Sequence, residues 1–251
     1  MPQTAPTFQP FSQTHATVVL SYGVAAMLLI LLGRFGRRRE SLETGQNVHF
    51  LWLGFVTIVQ LINVVFWCVP PQLDPASSLP LHICDIMGIV TIIAMATSAR
   101  WSRVLLFFWG IGLSMQGFIY PIIHENSDSM RFHIFFLSHF TIIASGLYDL
   151  FVRRFRISWM DCAMSLVYLM LYAGIIIPID LLFDWNYGYA GKNNVVGPIS
   201  KFGEWPIRLV WLFVTVASGF LILTAIATAI QALSSRKHSQ RTLRASGGDR
   251  Q

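Results

Sequence analysis

Seven stretches of this chain are apolar for long enough to cross a lipid bilayer, and that narrows its fold more than any motif does. They are Thr17–Gly33, Val48–Val69, Pro80–Ser98, Val104–Ile123, Phe132–Val152, Ser158–Phe183 and Pro206–Ala232. Most reach the roughly 20 residues that a ~30 Å hydrocarbon core demands. In such a core the backbone polar groups must be satisfied within the segment, so runs of this kind are read as helices. Composition agrees, with 54% of residues apolar and 12% charged, unlike a soluble domain. The third and fourth runs are separated only by residues 99–103, so their boundary rests on Arg100 and Arg103. The expected fold is all-α: a polytopic membrane protein with a bundle of seven transmembrane helices over residues 17–232. A polar tail at residues 1–16 precedes it, and a basic, disordered tail at 233–251 follows.

The charges orient this bundle. Residues 34–39, 100–103, 153–156 and the tail from Arg236 carry fourteen of the 18 Lys and Arg. The opposite loops hold only Arg131, Lys192, Lys201 and Arg208. The positive-inside rule then sets the N-terminus outside and the C-terminus in the cytoplasm, as a multi-pass protein of the cell membrane. The net charge of +6 needs no nucleic-acid partner, because these residues serve as membrane anchors. The first 16 residues lack Lys and Arg and the positive cluster follows the first span, as in an uncleaved anchor. On this topology Cys68 and Cys84 lie near the outer surface, where a single disulfide between them is geometrically open, and Cys162 lies near the inner one.

Polar groups inside these spans are costly, so a chain that keeps them usually uses them. Three phrases concentrate them: Leu79–Asp85, Ser114-Met115-Gln116 and Phe136–His139. In the first, Pro80 suits a helix start, which sets His82 and Asp85 three apart on one helical face. An imidazole beside a carboxylate is held in one tautomer and made more basic; the same pair also serves simply to fix a helix end. Cys84 is offset by about 100° from its neighbour and need not share that face. His139 lies seven residues inside the fifth span, or roughly 10 Å along a helix. Gln116 sits at similar depth, where an unpaired amide costs on the order of 1–3 kcal/mol and therefore bonds across helices, to a neighbour or to a substrate. Asn63 and Asp180 fall in the same halves of their spans. Together these residues can line one cavity open to the outer leaflet. The long connection Asp184–Trp205, with Asn186 and Tyr187, reads either as a cap over that cavity or as an interfacial loop.

Several chemistries are disfavoured by the residues themselves. No lysine stands inside a span, so a retinal Schiff base has no attachment point. The histidines lack a metal- or haem-ligand spacing, and no cofactor motif occurs. No repeated halves of the kind common in transporters are found.

Taken together, Leu79–Asp85, Phe108-Trp109-Gly110 with Ser114 and Gln116, Phe135–His139, Asn186-Tyr187 and Gly203-Glu204-Trp205-Pro206 resemble the YwaF-type family of bacterial integral membrane proteins, over roughly residues 45–230. That family is distantly similar to a eukaryotic membrane acyltransferase acting on phospholipids and to threonine/histidine lipid hydrolases. The resemblance implies acyl chemistry on a membrane phospholipid or other acyl lipid, with a histidine base in the membrane. The acyltransferase has its nucleophilic cysteine just before the histidine, where this chain has Leu81, and Cys84 stands two residues beyond His82. The nucleophile is then either Cys84 or a lipid hydroxyl or water activated by the histidines. On this reading the catalytic set is His139, His82, Asp85 and Cys84, and the substrate-binding set is Gln116, Asn63, Asp180, Asn186 and Tyr187. The other reading gives the same residues to a binding or transport protein for a small polar or lipid-like solute.

Overall fold

Among the described residues of the computed structural model, six helices are long and apolar enough to cross a membrane. The structure describes residues 8–38, 42–123, 125–193 and 197–248. Arg39, Asn194, Val195 and Val196, on which parts of the sequence reading fall, lie outside those residues, as do residues 1–7 and 249–251. In chain order the helices are α1 (Gln13–Arg38), α2 (Leu42–Cys68), α3 (Ile83–Thr97), α4 (Arg100–Ile119), α5 (Met130–Phe151), α6 (Trp159–Phe183) and α7 (Ile207–Gly248). No strand occurs among the described residues.

The exception to the expected set of seven is α3. Its 15 residues span roughly 22 Å, short of a full hydrocarbon core. The expected start at Pro80 fails because His82 is extended, with φ −66° and ψ 149°, and acts as the N-cap. The helix stops at Thr97 because Ser98 turns left-handed, at φ 59°. The fourth run begins earlier than expected, at Arg100, and stops before Pro121, which disfavours helical backbone in the residue ahead of it. α2 likewise ends before Pro70 and Pro71. Ser129 caps α5, and Ser158 with Asp161 forms a reciprocal capping box at α6. α7 continues as helix to Gly248, through residues where composition leads one to expect disorder; Ala, Leu, Arg, Gln and Lys there are good helix formers.

Helix α5 is the hub. It packs against α1, α2, α3 and α4, and 72% of its most apolar window is buried. In α1, α6 and α7 only 11% of that window is buried, so their leucines, isoleucines and valines face outward. Helices with outward apolar faces of that extent are surfaces built for lipid rather than water. The N-terminal tail is less independent than its polarity suggests. Phe8 is buried against Phe132 and Phe136, and the His15 ring bonds the Phe118 carbonyl at 2.7 Å.

Within α4, residues Leu106–Leu113 are wound as a π-helix, and the Ser114 N–H bonds back five residues to the Trp109 carbonyl at 2.8 Å. Each π-turn takes up an extra residue, so everything beyond it is rotated from its α-helical phase. At the other end of the bundle, charges are paired. Asp149 holds Arg103 at 2.9 Å and Arg153 at 3.2 Å, while Asp161 holds Arg100. Arg100 and Arg103 thus clamp α4 to α6 and α5, and Arg153 ties the end of α5 to the Ala94 carbonyl of α3, beyond the anchoring role expected of them.

Candidate functional site

The deepest part of the site belongs to α2 and α5. On α2, Trp52, Val56, Gln60 and Asn63 recur every three or four residues and are all buried. Gln60 donates to the Ser138 carbonyl at 3.1 Å and to the Thr141 hydroxyl at 2.8 Å, so this amide is satisfied. One residue along α5, His139 is buried and its Nδ1 lies 2.8 Å from the Phe135 carbonyl. A carbonyl only accepts, so Nδ1 carries the proton and Nε2 of the neutral ring carries the lone pair. The ring is held from one side by Phe135, at a centroid distance of 4.4 Å. Gly117 of α4 presses on it as well: a Cβ added there would lie 2.4 Å from Cδ2 and 2.8 Å from Nε2 of His139. Glycine is required at that position by space alone.

The first turn of α3 supplies the carboxylate. His82 sits in extended backbone as the N-cap rather than inside the helix, so the helical spacing expected to pair it with Asp85 does not apply. The His82 backbone and the Asn63 side chain lie near the Asp85 carboxylate. Asp85 lies close enough to His139 for the carboxylate and the imidazole to interact electrostatically. Cys84 stands beside Ser114, whose hydroxyl donates to the Trp109 carbonyl at 3.2 Å. Cys84 and Cys68 are both free thiols, so the disulfide open to the sequence is not formed. Among the described residues, neither imidazole is hydrogen-bonded to the Cys84 sulfur.

Above this lies a cap made by the loop after α6. The Tyr187 N–H donates to Asp180 Oδ1 at 2.9 Å, and the Gly191 N–H to Asn186 Oδ1 at 3.0 Å. Asp180 and Asn186 thus shape the loop. The fully buried Tyr187 hydroxyl donates to the Pro75 carbonyl at 2.7 Å and accepts from the Leu79 N–H at 3.0 Å. It ties the cap to the segment leading into α3. The Gly188 N–H approaches His82 Nδ1 at 3.4 Å, and the His82 ring lies 4.8 Å from Tyr187 and 6.0 Å from Tyr189. Burial raises the phenols of Tyr187 and Tyr189 above their ordinary range, so both remain protonated donors. Tyr172 of α6 completes the link by donating to the Leu81 carbonyl at 2.8 Å.

The structure thus brings together Asn63, Cys84, Asp85 and His139 with His82 and Tyr187 above them. Gln116 does not join them as a buried amide; it is exposed. The π-segment before it shifts the phase of the helix, and its neighbour Gly117 meets His139 instead. Gly117, Tyr172 and Tyr189 were not singled out individually from the sequence. The glycine stands directly after the Ser114–Gln116 phrase and Tyr189 inside the cap loop, whereas an apolar run gives no signal for Tyr172. His82, Cys84 and Asp85 keep partly accessible surface while Asn63, Ser114 and His139 are buried.

The sequence matches the TMEM164 family over residues 10–225. No curated protein and no solved structure matches it.

Proposed function

This chain belongs to the TMEM164 family of membrane proteins, and from that premise we propose that it is a membrane-embedded lipid acyltransferase or acyl-ester hydrolase. The reading includes a seven-helix bundle in the cell membrane, with α3 as a short seventh member. The N-terminus is outside, the C-terminus cytoplasmic, and the site opens to the outer leaflet; the uneven distribution of Lys and Arg supports that orientation. The likeness of the site phrases to YwaF-type proteins, a family distantly similar to a lipid acyltransferase, supports the same chemistry.

One observation carries the proposal: His139 is an imidazole held through Nδ1 by the Phe135 carbonyl, its Nε2 makes no hydrogen bond with the described residues, and it lies within electrostatic reach of Asp85. Such a group is a general base. In the proposed step, Nε2 takes the proton from a hydroxyl, of water or of an acceptor lipid, as its oxygen attacks an ester carbonyl carbon. The carbonyl becomes an oxyanion, and Asp85 offsets the positive charge gained by His139. When the oxyanion collapses, the bond to the original alcohol breaks and that oxygen takes the proton back from His139. Water as acceptor yields a free fatty acid, and a lysolipid yields a transferred chain. His82, with the cap tyrosines around it, lies on the side where the headgroup would sit. Direct activation of a hydroxyl is favoured over Cys84 as nucleophile because neither imidazole bonds the thiol.

The test is lipid mass spectrometry of purified protein incubated with phospholipid and lysophospholipid. A free fatty acid or a transferred chain that vanishes in His139→Ala supports the enzyme. Unchanged lipids, together with saturable ligand binding lost in the same variant, would instead establish a binding or transport protein.

A further inference from the structure

Two groups of arginines stand at the end of the bundle away from His139. Arg100, Arg103 and Arg153 are each paired with Asp149 or Asp161. The side chains of Arg34, Arg37 and Arg154 form no ion pair or hydrogen bond with the described residues, yet they line one small open cleft of about 70 Å³ with Phe151 and Val152.

The backbone builds this cleft. Gly33 lets α1 approach α5 closely, since a Cβ there would lie 2.6 Å from the Tyr148 ring and 3.0 Å from both Val152 methyl groups. One turn of α1 then directs Arg34 and Arg37 to the same side. On the other wall, Arg153 turns inward to Asp149 and to the Ala94 carbonyl. The next residue, Arg154, is left-handed at φ 58°, and joins the cleft. Three guanidinium groups around one opening repel one another unless an anion lies between them. Their planar forks match phosphate oxygens. The rest of the lining is apolar, with Phe151 46% exposed, and outside the cleft Leu31 and Leu32 on the adjoining turn of α1 are 55% and 58% exposed. A phosphate carrying acyl chains satisfies both halves of this surface.

We propose that the cleft of Arg34, Arg37 and Arg154 binds a phosphate group, that of an anionic phospholipid rather than a soluble phosphate. This inference does not depend on the His139 chemistry.

The test is native mass spectrometry of the full chain released from detergent micelles doped with phosphatidylglycerol, phosphatidylcholine or inorganic phosphate. The expected result is a one-to-one phosphatidylglycerol adduct, exceeding that of phosphatidylcholine and resistant to inorganic phosphate. Each arginine near a membrane surface contributes roughly fivefold in affinity, so R34Q/R37Q/R154Q should weaken the adduct by about a hundredfold. R34K/R37K/R154K should retain much of it, and R156Q all of it. Competition by inorganic phosphate would keep the phosphate site but transfer it to a soluble ligand. Equal adducts with both lipids, or an adduct unchanged in a triple glutamine variant that elutes and unfolds like the parent, would overturn the proposal.

Discussion

Gly117→Ala is the sharpest perturbation of the site, because it adds one methyl group at a known place. Carbon atoms pack at about 3.5–4.0 Å, and the new Cβ would sit 2.4 Å from Cδ2 of His139. Over an ångström must therefore be recovered. The imidazole cannot retreat without losing the 2.8 Å bond to the Phe135 carbonyl or pressing on the Phe135 ring at 4.4 Å. Overpacking of this kind costs about 1–3 kcal/mol. A displacement of about 1 Å in a reacting group costs on the order of 100-fold in rate. Thermal unfolding in detergent measures the first quantity, and fatty acid release or chain transfer measures the second. A double-mutant cycle isolates the cause. In a His139→Ala background the clashing atoms are gone, so Gly117→Ala should cost little there, giving a coupling energy of about 1–3 kcal/mol. Strictly additive stabilities, or a single variant with unchanged stability and unchanged turnover, would refute the packing argument.

Asp149→Asn leaves Arg103 and Arg153 largely buried without their carboxylate, 18% and 10% exposed. The loss expected is about 3–5 kcal/mol, read as a large fall in unfolding temperature, whereas Glu125→Gln, on a partly exposed pair, should change it much less. Tyr187→Phe removes the hydroxyl that bridges Pro75 and Leu79; it should cost about 1–3 kcal/mol and make the segment between α2 and α3 more open to limited proteolysis. Because Cys68 and Cys84 are unbridged, mass spectrometry after non-reducing digestion should recover both as thiols; a linked peptide would contradict the structure.

The apolar runs made most of the fold legible, because length and hydropathy act over a whole segment. They failed at α3, where one extended residue, His82, removed the first turn from the expected span. The same residue accounts for the largest change within the site. Helical spacing pairs His82 with Asp85 only if both lie in the helix, and the N-cap breaks that condition. Asn63, Asp85 and His139 could be gathered from the sequence because polar residues in apolar runs are conspicuous. Gln116 could not be assigned correctly, since α-helical periodicity does not hold through the π-segment. Asp149 was passed over at the end of a span, where a carboxylate looks like an ordinary surface charge. Nothing local announces that two arginines converge on it.

The π-helix at Leu106–Leu113 also says something about how this site tolerates change. Such a segment is in effect an α-helix carrying a surplus residue. Deleting one residue there would leave a regular helix, shorter and intrinsically less strained. Because the π-segment already takes up that residue, side chains beyond the deletion would keep close to their present phase, and Gly117 would still face the imidazole. Adding a residue would instead turn everything beyond it by about 100° about the axis and bring a different side chain against His139. The number of residues in this stretch is therefore as much a determinant of the site as their identities, and one residue added in the buried middle of α4 should be harsher than one removed.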